Sequence, residues 1–213
     1  MSKFAVIVAS YVSDRAQRFC KNLESVPFGD VDYDLYFVHN TIENSEVTNR
    51  WEPRTPQEIN EVSETLRAYK GKKTIIEREN VGEDVGAYRY AYLKLKHNYK
   101  YMFFVNEVCT IHKPGWLKGF YDFYEEHPDV VATTPQMCTG HKYPYALPTT
   151  YWSLRSSFEL EWPEPRSRDD AQIQEMELVW PQANAQNKKL GQVGDGHWFS
   201  YKNQTCFSEG VYA

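Results

Sequence analysis

The residues of this 213-residue chain that could do chemistry fall into a few short polar clusters. Ser10-Tyr11-Val12-Ser13 offers a hydroxyl and an aromatic ring. They suit the edge and face of a nucleotide base, or a polar loop ahead of a helix. In Glu79-Asn80-Val81-Gly82-Glu83-Asp84-Val85-Gly86-Ala87-Tyr88, two glycines flank an acid. Gly82 permits a tight turn, and Gly86 with Ala87 permits close packing. Asp84 either caps a helix or accepts hydrogen bonds from a uracil N–H or ribose hydroxyls. Asn106-Glu107-Val108 presents the oxygen ligands that Mg²⁺ or Mn²⁺ takes jointly with a diphosphate; the competing reading is a strand-end turn with a solvated Glu107. Gly194-Asp195-Gly196-His197-Trp198 adds Asp195 and His197 as metal or phosphate ligands, or is an ordinary loop. Arg155 follows Trp152 closely. Asp170 and Glu177 lie where a carboxylate could take a proton from an attacking hydroxyl, or where a solvated helix begins.

Several well-known arrangements are missing. No G-x-G-x-x-G and no Gly-Lys-Ser/Thr loop is present, which weighs against a dinucleotide or P-loop site. No G-x-S-x-G elbow and no H-E-x-x-H pair occurs either.

The elements that must position these clusters alternate in type. Residues 3–9 (KFAVIVA) read as a strand buried on both faces. Residues 14–23 read as a helix, 33–39 as a strand and 40–54 as a polar loop. Thr55-Pro56-Gln57-Glu58 is a helix start, with a capping Thr and Pro at the first position. That helix should run to about residue 69. Residues 73–77 form a strand, 84–96 a helix, and 101–105 (YMFFV) a strand hydrophobic enough to be central. Residues 116–126 read as a helix and 130–134 as a strand. Residues 139–168 are rich in proline and aromatics and suggest binding loops or a short antiparallel addition. Residues 169–189 read as helical, broken or kinked at Pro181. The alternation predicts an α/β fold with a mostly parallel or mixed sheet flanked by helices. In such sheets ligands sit at the carboxyl ends of the strands, which is where most of these clusters fall.

Composition narrows the function. With 24 Lys+Arg against 29 Asp+Glu the net charge is −5, which disfavours a nucleic-acid binder. No apolar run approaches the ~20 residues of a membrane span. The apolar stretch after Lys3 is too short for a secretory signal, and the four scattered cysteines include no C-x-x-C. The expectation is a cytoplasmic protein with reduced thiols. Tyr (16) and Trp (6) are abundant enough to suggest stacking on sugars or bases, or simply an aromatic core.

Taken in order, these segments resemble a nucleotide-sugar glycosyltransferase of the GT-A type. ENVGEDVGAYRYAYLKL resembles the N-x-G-x-D-x-G segment of rhamnan-synthesis-like transferases. KFAVIVASY is similar to the family's first nucleotide-contacting strand. YKYMFFVNEVCTIHKPGW resembles the strand that ends at the metal site, TTYWSLRSSFEL the acceptor-side segment, and QEMELVWPQANAQNKKLG the acidic helix after it. The resemblance implies a single domain over residues 1–213, of the kind excised from a longer chain. Residues 1–105 would be its nucleotide half, and 106–213 its metal, sugar and acceptor half. It implies Ser10, Tyr11, Asn80, Asp84 and Asn106 at the nucleotide, Trp152, Arg155 and Trp198 at the sugar and diphosphate, and Mn²⁺ or Mg²⁺ at Glu107 with His197 or Asp195. Glu177, or else Asp170, would be the base. The donor would be UDP-glucose or UDP-rhamnose. A likeness to the glycosyltransferase domains that build chlorella-virus capsid glycans implies a glycan acceptor on a viral glycoprotein. The chain departs from the family at its Asp-x-Asp metal signature, which here reads Asn106-Glu107-Val108. The rival readings are a non-catalytic nucleotide-sugar binding module, and a sugar nucleotidyltransferase, whose Gly-rich basic loop after the first strand is absent.

Overall fold

The first apolar run becomes β1 (Phe4–Ser10), and all seven of its residues are buried. A computed structural model describes residues 3–42, 54–137, 147, 150–165, 178–194, 198–200 and 210–212. After β1 come α1 (Ser13–Ser25), β2 (Tyr33–Ile42), α2 (Pro56–Ala68), β3 (Thr74–Glu79) and α3 (Glu83–Leu95). They are followed by β4 (Tyr101–Asn106), β5 (Thr110–Ile111), α4 (Trp116–Glu126), β6 (Val130–Thr134) and β7 (Tyr151–Arg155). The last elements are α5 (Val179–Ala185), β8 (Lys189–Gln192), β9 (Phe199–Ser200) and β10 (Gly210–Tyr212).

Eight strands form one mixed sheet in the order β10-β8-β6-β7-β4-β1-β2-β3, and β5 pairs with β9 separately. β3, β2, β1 and β4 run parallel. From β1 the chain steps one way to β2 and β3, then crosses back through α3 to place β4 on the other side of β1. The strand order therefore reverses between β1 and β4. That reversal opens a crevice at the carboxyl ends of these two strands.

Alternation along each strand splits the core into two layers. Phe4, Val6 and Val8 face α1, α2 and α4, where they pack with Phe19, Leu66, Trp116 and Phe120. Ala5, Ile7 and Ala9 face α3 and α5, where they pack with Tyr88, Tyr92, Phe104 and Ala183. β4 is buried from Tyr101 to Val105, as a central strand requires. At α2, Thr55 and Glu58 close a reciprocal capping box with Pro56 in the first turn.

Two expectations are corrected and one alternative is selected. β2 continues through Asn40 to Ile42, so the stretch read as loop begins later. Of the two readings of residues 139–168, the short antiparallel addition is present as β7, which lies between β4 and β6. Of the helix read over residues 169–189, residues 169–177 lie outside the described residues, and Pro181 interrupts no described helix. It is the third residue of α5, inside the first turn, where a missing N–H costs no intrahelical bond. That helix ends at Ala185, and residues 189–192 are strand rather than helix.

Gly82 and Gly86 are both demanded by geometry. Gly82 has φ +73°, and a Cβ there would come within 2.2 Å of Pro165. A Cβ on Gly86 would lie 1.7 Å from the Val81 carbonyl oxygen, which is backbone and cannot swing aside. Gly86→Ala should therefore lower stability by about 1–3 kcal/mol, the usual cost of overpacking. Urea denaturation checks this, and a midpoint equal to wild type contradicts it.

Candidate functional site at the carboxyl ends of the parallel strands

At the carboxyl ends of the parallel strands lie Tyr11 after β1, Asn40 in β2, Asn80 after β3, Asn106 at the end of β4 and Glu107 directly after it. Asp84 joins them from the first turn of α3. It is not the cap of that helix, because Gly82 occupies the cap position. Its Oδ2 instead accepts a hydrogen bond from Asn106 Nδ2 at 2.7 Å. The Asn106 side-chain oxygen in turn accepts from Val108 N at 3.1 Å. Asn106 thereby fixes the carboxylate of Asp84 at the positive end of the α3 dipole.

Two arginines and two asparagines build the other wall. Arg78 donates to Asn40 Oδ1 at 3.0 Å and to the Val81 carbonyl at 2.9 Å. Burial pushes its guanidinium down to about 10, which still leaves it cationic near neutrality. Asn40 donates to Asn80 Oδ1 at 3.0 Å, and Asn80 is fully buried. Arg54 donates to the Tyr11 carbonyl at 2.7 Å and to the Asn40 carbonyl. Its guanidinium carbon lies 3.7 Å from the centre of the Tyr11 ring, a cation–π contact. Arg54, Arg78 and Asn40 went unnoticed in the sequence. Arg54 sits just before the recognisable capping box, and Asn40 directly follows a buried strand pattern. Those are the available signals.

Glu107 is not where a metal ligand belongs. It is 4% exposed, and its Oε1 accepts from Tyr11 N at 2.9 Å and Val12 N at 2.5 Å. Burial pushes its carboxyl up to about 8, against the pull of those two amides and of Arg15 and Arg54. An inward carboxyl already spent on two backbone amides does not fit a divalent cation, which takes oxygens open to it. Asn106 offers only a side-chain oxygen that already accepts from Val108. Among the described residues no group of three His, Cys, Asp or Glu is arranged to hold a metal. Asp195 and His197, the other expected ligands, lie outside the described residues, as do Asp170 and Glu177.

Four more expected residues are placed as follows. Ser10 ends β1 but turns into the α1/α2 layer, 2% exposed, and does not line the crevice. Trp152 is a core residue whose ring is tilted against Phe104 at 4.5 Å and against Trp162 at 5.8 Å. Arg155 pairs with Tyr101, at the end of β4 opposite Asn106, and donates to the Val130 and Tyr124 carbonyls. It is a structural arginine far from the crevice. Trp198 packs against Gly119 and Gly194, each of which would need a Cβ within 2.5 Å of the indole.

No protein-family model matches this chain, and no curated protein sequence matches it significantly. Solved structures do. S. aureus TarS residues 1–349 in complex with UDP-GlcNAc superposes with a TM-score of 0.58 at 16% identity, covering 97% of this chain and 60% of that one. A second structure of S. aureus TarS residues 1–349 gives 0.52 at 19% identity, covering 79% and 53%. The chain thus spans between half and two thirds of the length of these relatives. The fold is the Rossmann-like GT-A architecture that the sequence led us to expect.

The Glu107 geometry has a measurable consequence. Its folded pKa lies above the ordinary 4.5, so the native state holds a proton that the unfolded chain releases between pH 4.5 and about 8. This contribution to stability is complete below pH 4.5 and is lost as pH rises through about 8. Glu107→Gln keeps a neutral group of the same shape. It should flatten the decline of the urea midpoint across that window, and an unchanged decline would show that the carboxyl is not its source.

Proposed function

We propose that this protein binds a nucleoside-diphosphate sugar in the crevice between β1 and β4 and transfers the sugar to a hydroxyl of a glycan. One observation supports this most: at the point of strand-order reversal, an aromatic ring, two arginines and an oriented carboxylate converge. That combination matches the three parts of such a donor. Tyr11 gives a base a flat surface. The Asp84 carboxylate, oriented by Asn106, accepts from base or ribose donors. The guanidinium of Arg54 meets diphosphate charge, as Arg commonly does with phosphate. The likeness to a fold that carries UDP-GlcNAc in TarS supports UDP as the nucleotide. N-acetylglucosamine therefore joins glucose and rhamnose as candidate sugars.

Transfer breaks the bond between the anomeric carbon and the diphosphate oxygen, and negative charge grows on the departing UDP. Arg54 is placed to stabilise that charge, with electrostatic preorganisation as the main contribution. An acceptor hydroxyl then needs to lose its proton if the reaction inverts the anomeric centre. Glu177 is our first choice for that base and Asp170 the second. The acceptor we favour is a glycan on a viral capsid glycoprotein, following the family likeness. Glu107 faces inward, so it supplies no ligand for Mn²⁺ or Mg²⁺ in these steps. No helix among the described residues is long and apolar enough to cross a membrane.

The inward Glu107 also favours a second reading, a module that holds nucleotide sugar without turning it over. Incubation with UDP-GlcNAc and UDP-glucose, with and without Mn²⁺, separates the two. Release of UDP supports the transferase, and binding without release supports the module.

Binding itself rests on named side chains. Asp84→Ala should weaken UDP binding by roughly tenfold or more in calorimetry, the worth of a charge-assisted hydrogen bond. Arg54→Ala should weaken UDP more than uridine, since it acts on the diphosphate. Equal affinity of wild type and Asp84→Ala would remove that carboxylate from the site.

A further inference from the structure

Three buried polar residues occupy neighbouring positions on one face of the sheet, beneath the turn after β1. Ser10 and His39 are direct register partners across β1 and β2. Ala9 pairs with Asn106 across β1 and β4, so Glu107 is the next position beside Ser10. All three side chains lie on the α1/α2/α4 face. Ser10 continues the row Phe4, Val6, Val8; His39 continues Leu35, Phe37; and Glu107 continues Tyr101, Phe103, Val105. Their exposures are 2%, 0% and 4%. Ser10 Oγ, His39 Nε2 and Glu107 Oε2 each lack a hydrogen-bond partner among the described residues.

Their hydrogen-bonding characters are complementary. Ser63 Oγ lies 3.1 Å from the Ile59 carbonyl, to which it donates, and 3.2 Å from His39 Nδ1, so the tautomer that satisfies both contacts has Nδ1–H donating to it. His39 Nε2 is then the acceptor nitrogen of a neutral ring. That protonation state agrees with burial, which pushes the imidazole down to about 4. Glu107 Oε1 already accepts two amides, which leaves Oε2 to carry the carboxyl proton as a donor. Ser10 Oγ can do either. Adjacent strands stand about 4.8 Å apart, so polar side chains at neighbouring same-face positions are close enough for one oxygen to bridge them through hydrogen bonds of ~2.8 Å.

We propose that Ser10, His39 and Glu107 enclose an internal hydration site, in which one water accepts from Glu107 Oε2–H, donates to His39 Nε2 and bonds Ser10 Oγ. Three partners is the usual number for a buried water, and without it three buried polar groups would go unpaired. The water links β2, β1 and β4 directly beneath the Tyr11–Val12 turn. The site stands whether or not the crevice binds a nucleotide.

A high-resolution crystal structure of the full chain tests this. An oxygen peak within hydrogen-bond distance of the three atoms is expected. Empty density there, or a direct Ser10–His39 or Ser10–Glu107 hydrogen bond, overturns the proposal. In solution, long-range ¹H–¹⁵N spectra should show His39 protonated on Nδ1, and water-selective NOE spectra should show a long-lived water beside the Tyr11 and Val12 amides. The Nε2–H tautomer, or no such NOE, also overturns it.

Discussion

Everything at the crevice depends on the carboxyl of Glu107 reaching across from the end of β4 to the two amides that open α1. Those strands are neighbours at the point where the chain reverses direction across the sheet. The hydrogen bonds to Tyr11 and Val12 tie the loop after one strand to the loop after the other. Burial keeps the acid neutral, so the clamp costs little in charge desolvation and works as a pair of ordinary hydrogen bonds. Tyr11 is thereby held beside Asn106 and Asp84, and its ring is held beneath Arg54.

Around that clamp, charge is distributed unevenly. The protein is net negative, yet Arg54 and Arg78 sit together at the carboxyl end of the sheet, bonded to backbone carbonyls and to the Asn40 side chain. For Arg78, hydrogen bonds to neutral oxygens hold the guanidinium in place without cancelling its charge, so its field still reaches an anion. Asp84 places one oriented carboxylate in the same neighbourhood. A surface that offers both signs within a few residues suits a ligand with a hydroxyl-rich part and a phosphate part.

Much of the fold was legible because periodicity reports burial. β1, β4, α4 and β6 were readable from runs of apolar residues, and α2 from its capping box. β7 was legible only as one of two readings of residues 139–168, because Tyr151–Arg155 looks like an aromatic loop until β4 and β6 are seen to need a partner between them. The site was legible where a backbone requirement marks the sequence: Gly82 and Gly86 pointed to Asp84. It was illegible where side-chain direction decides. Asn106-Glu107 reads as a pair of ligands, and only the strand register shows that residue 107 turns into the core. Trp152 and Arg155 were misread for the same reason, since alternation and strand direction send one into the packed interior and the other to the far end of the sheet.

The placement of β7 also bears on how the chain acquires its shape. β4 and β6 are both synthesised before the strand that separates them, and β7 hydrogen-bonds to each. Until residue 155 has left the ribosome, two apolar strands face each other across a gap with their amide and carbonyl rows open. Such edges attract other chains. Docking of β7 closes both of those edges at once, so this one strand carries the closure of the middle of the sheet.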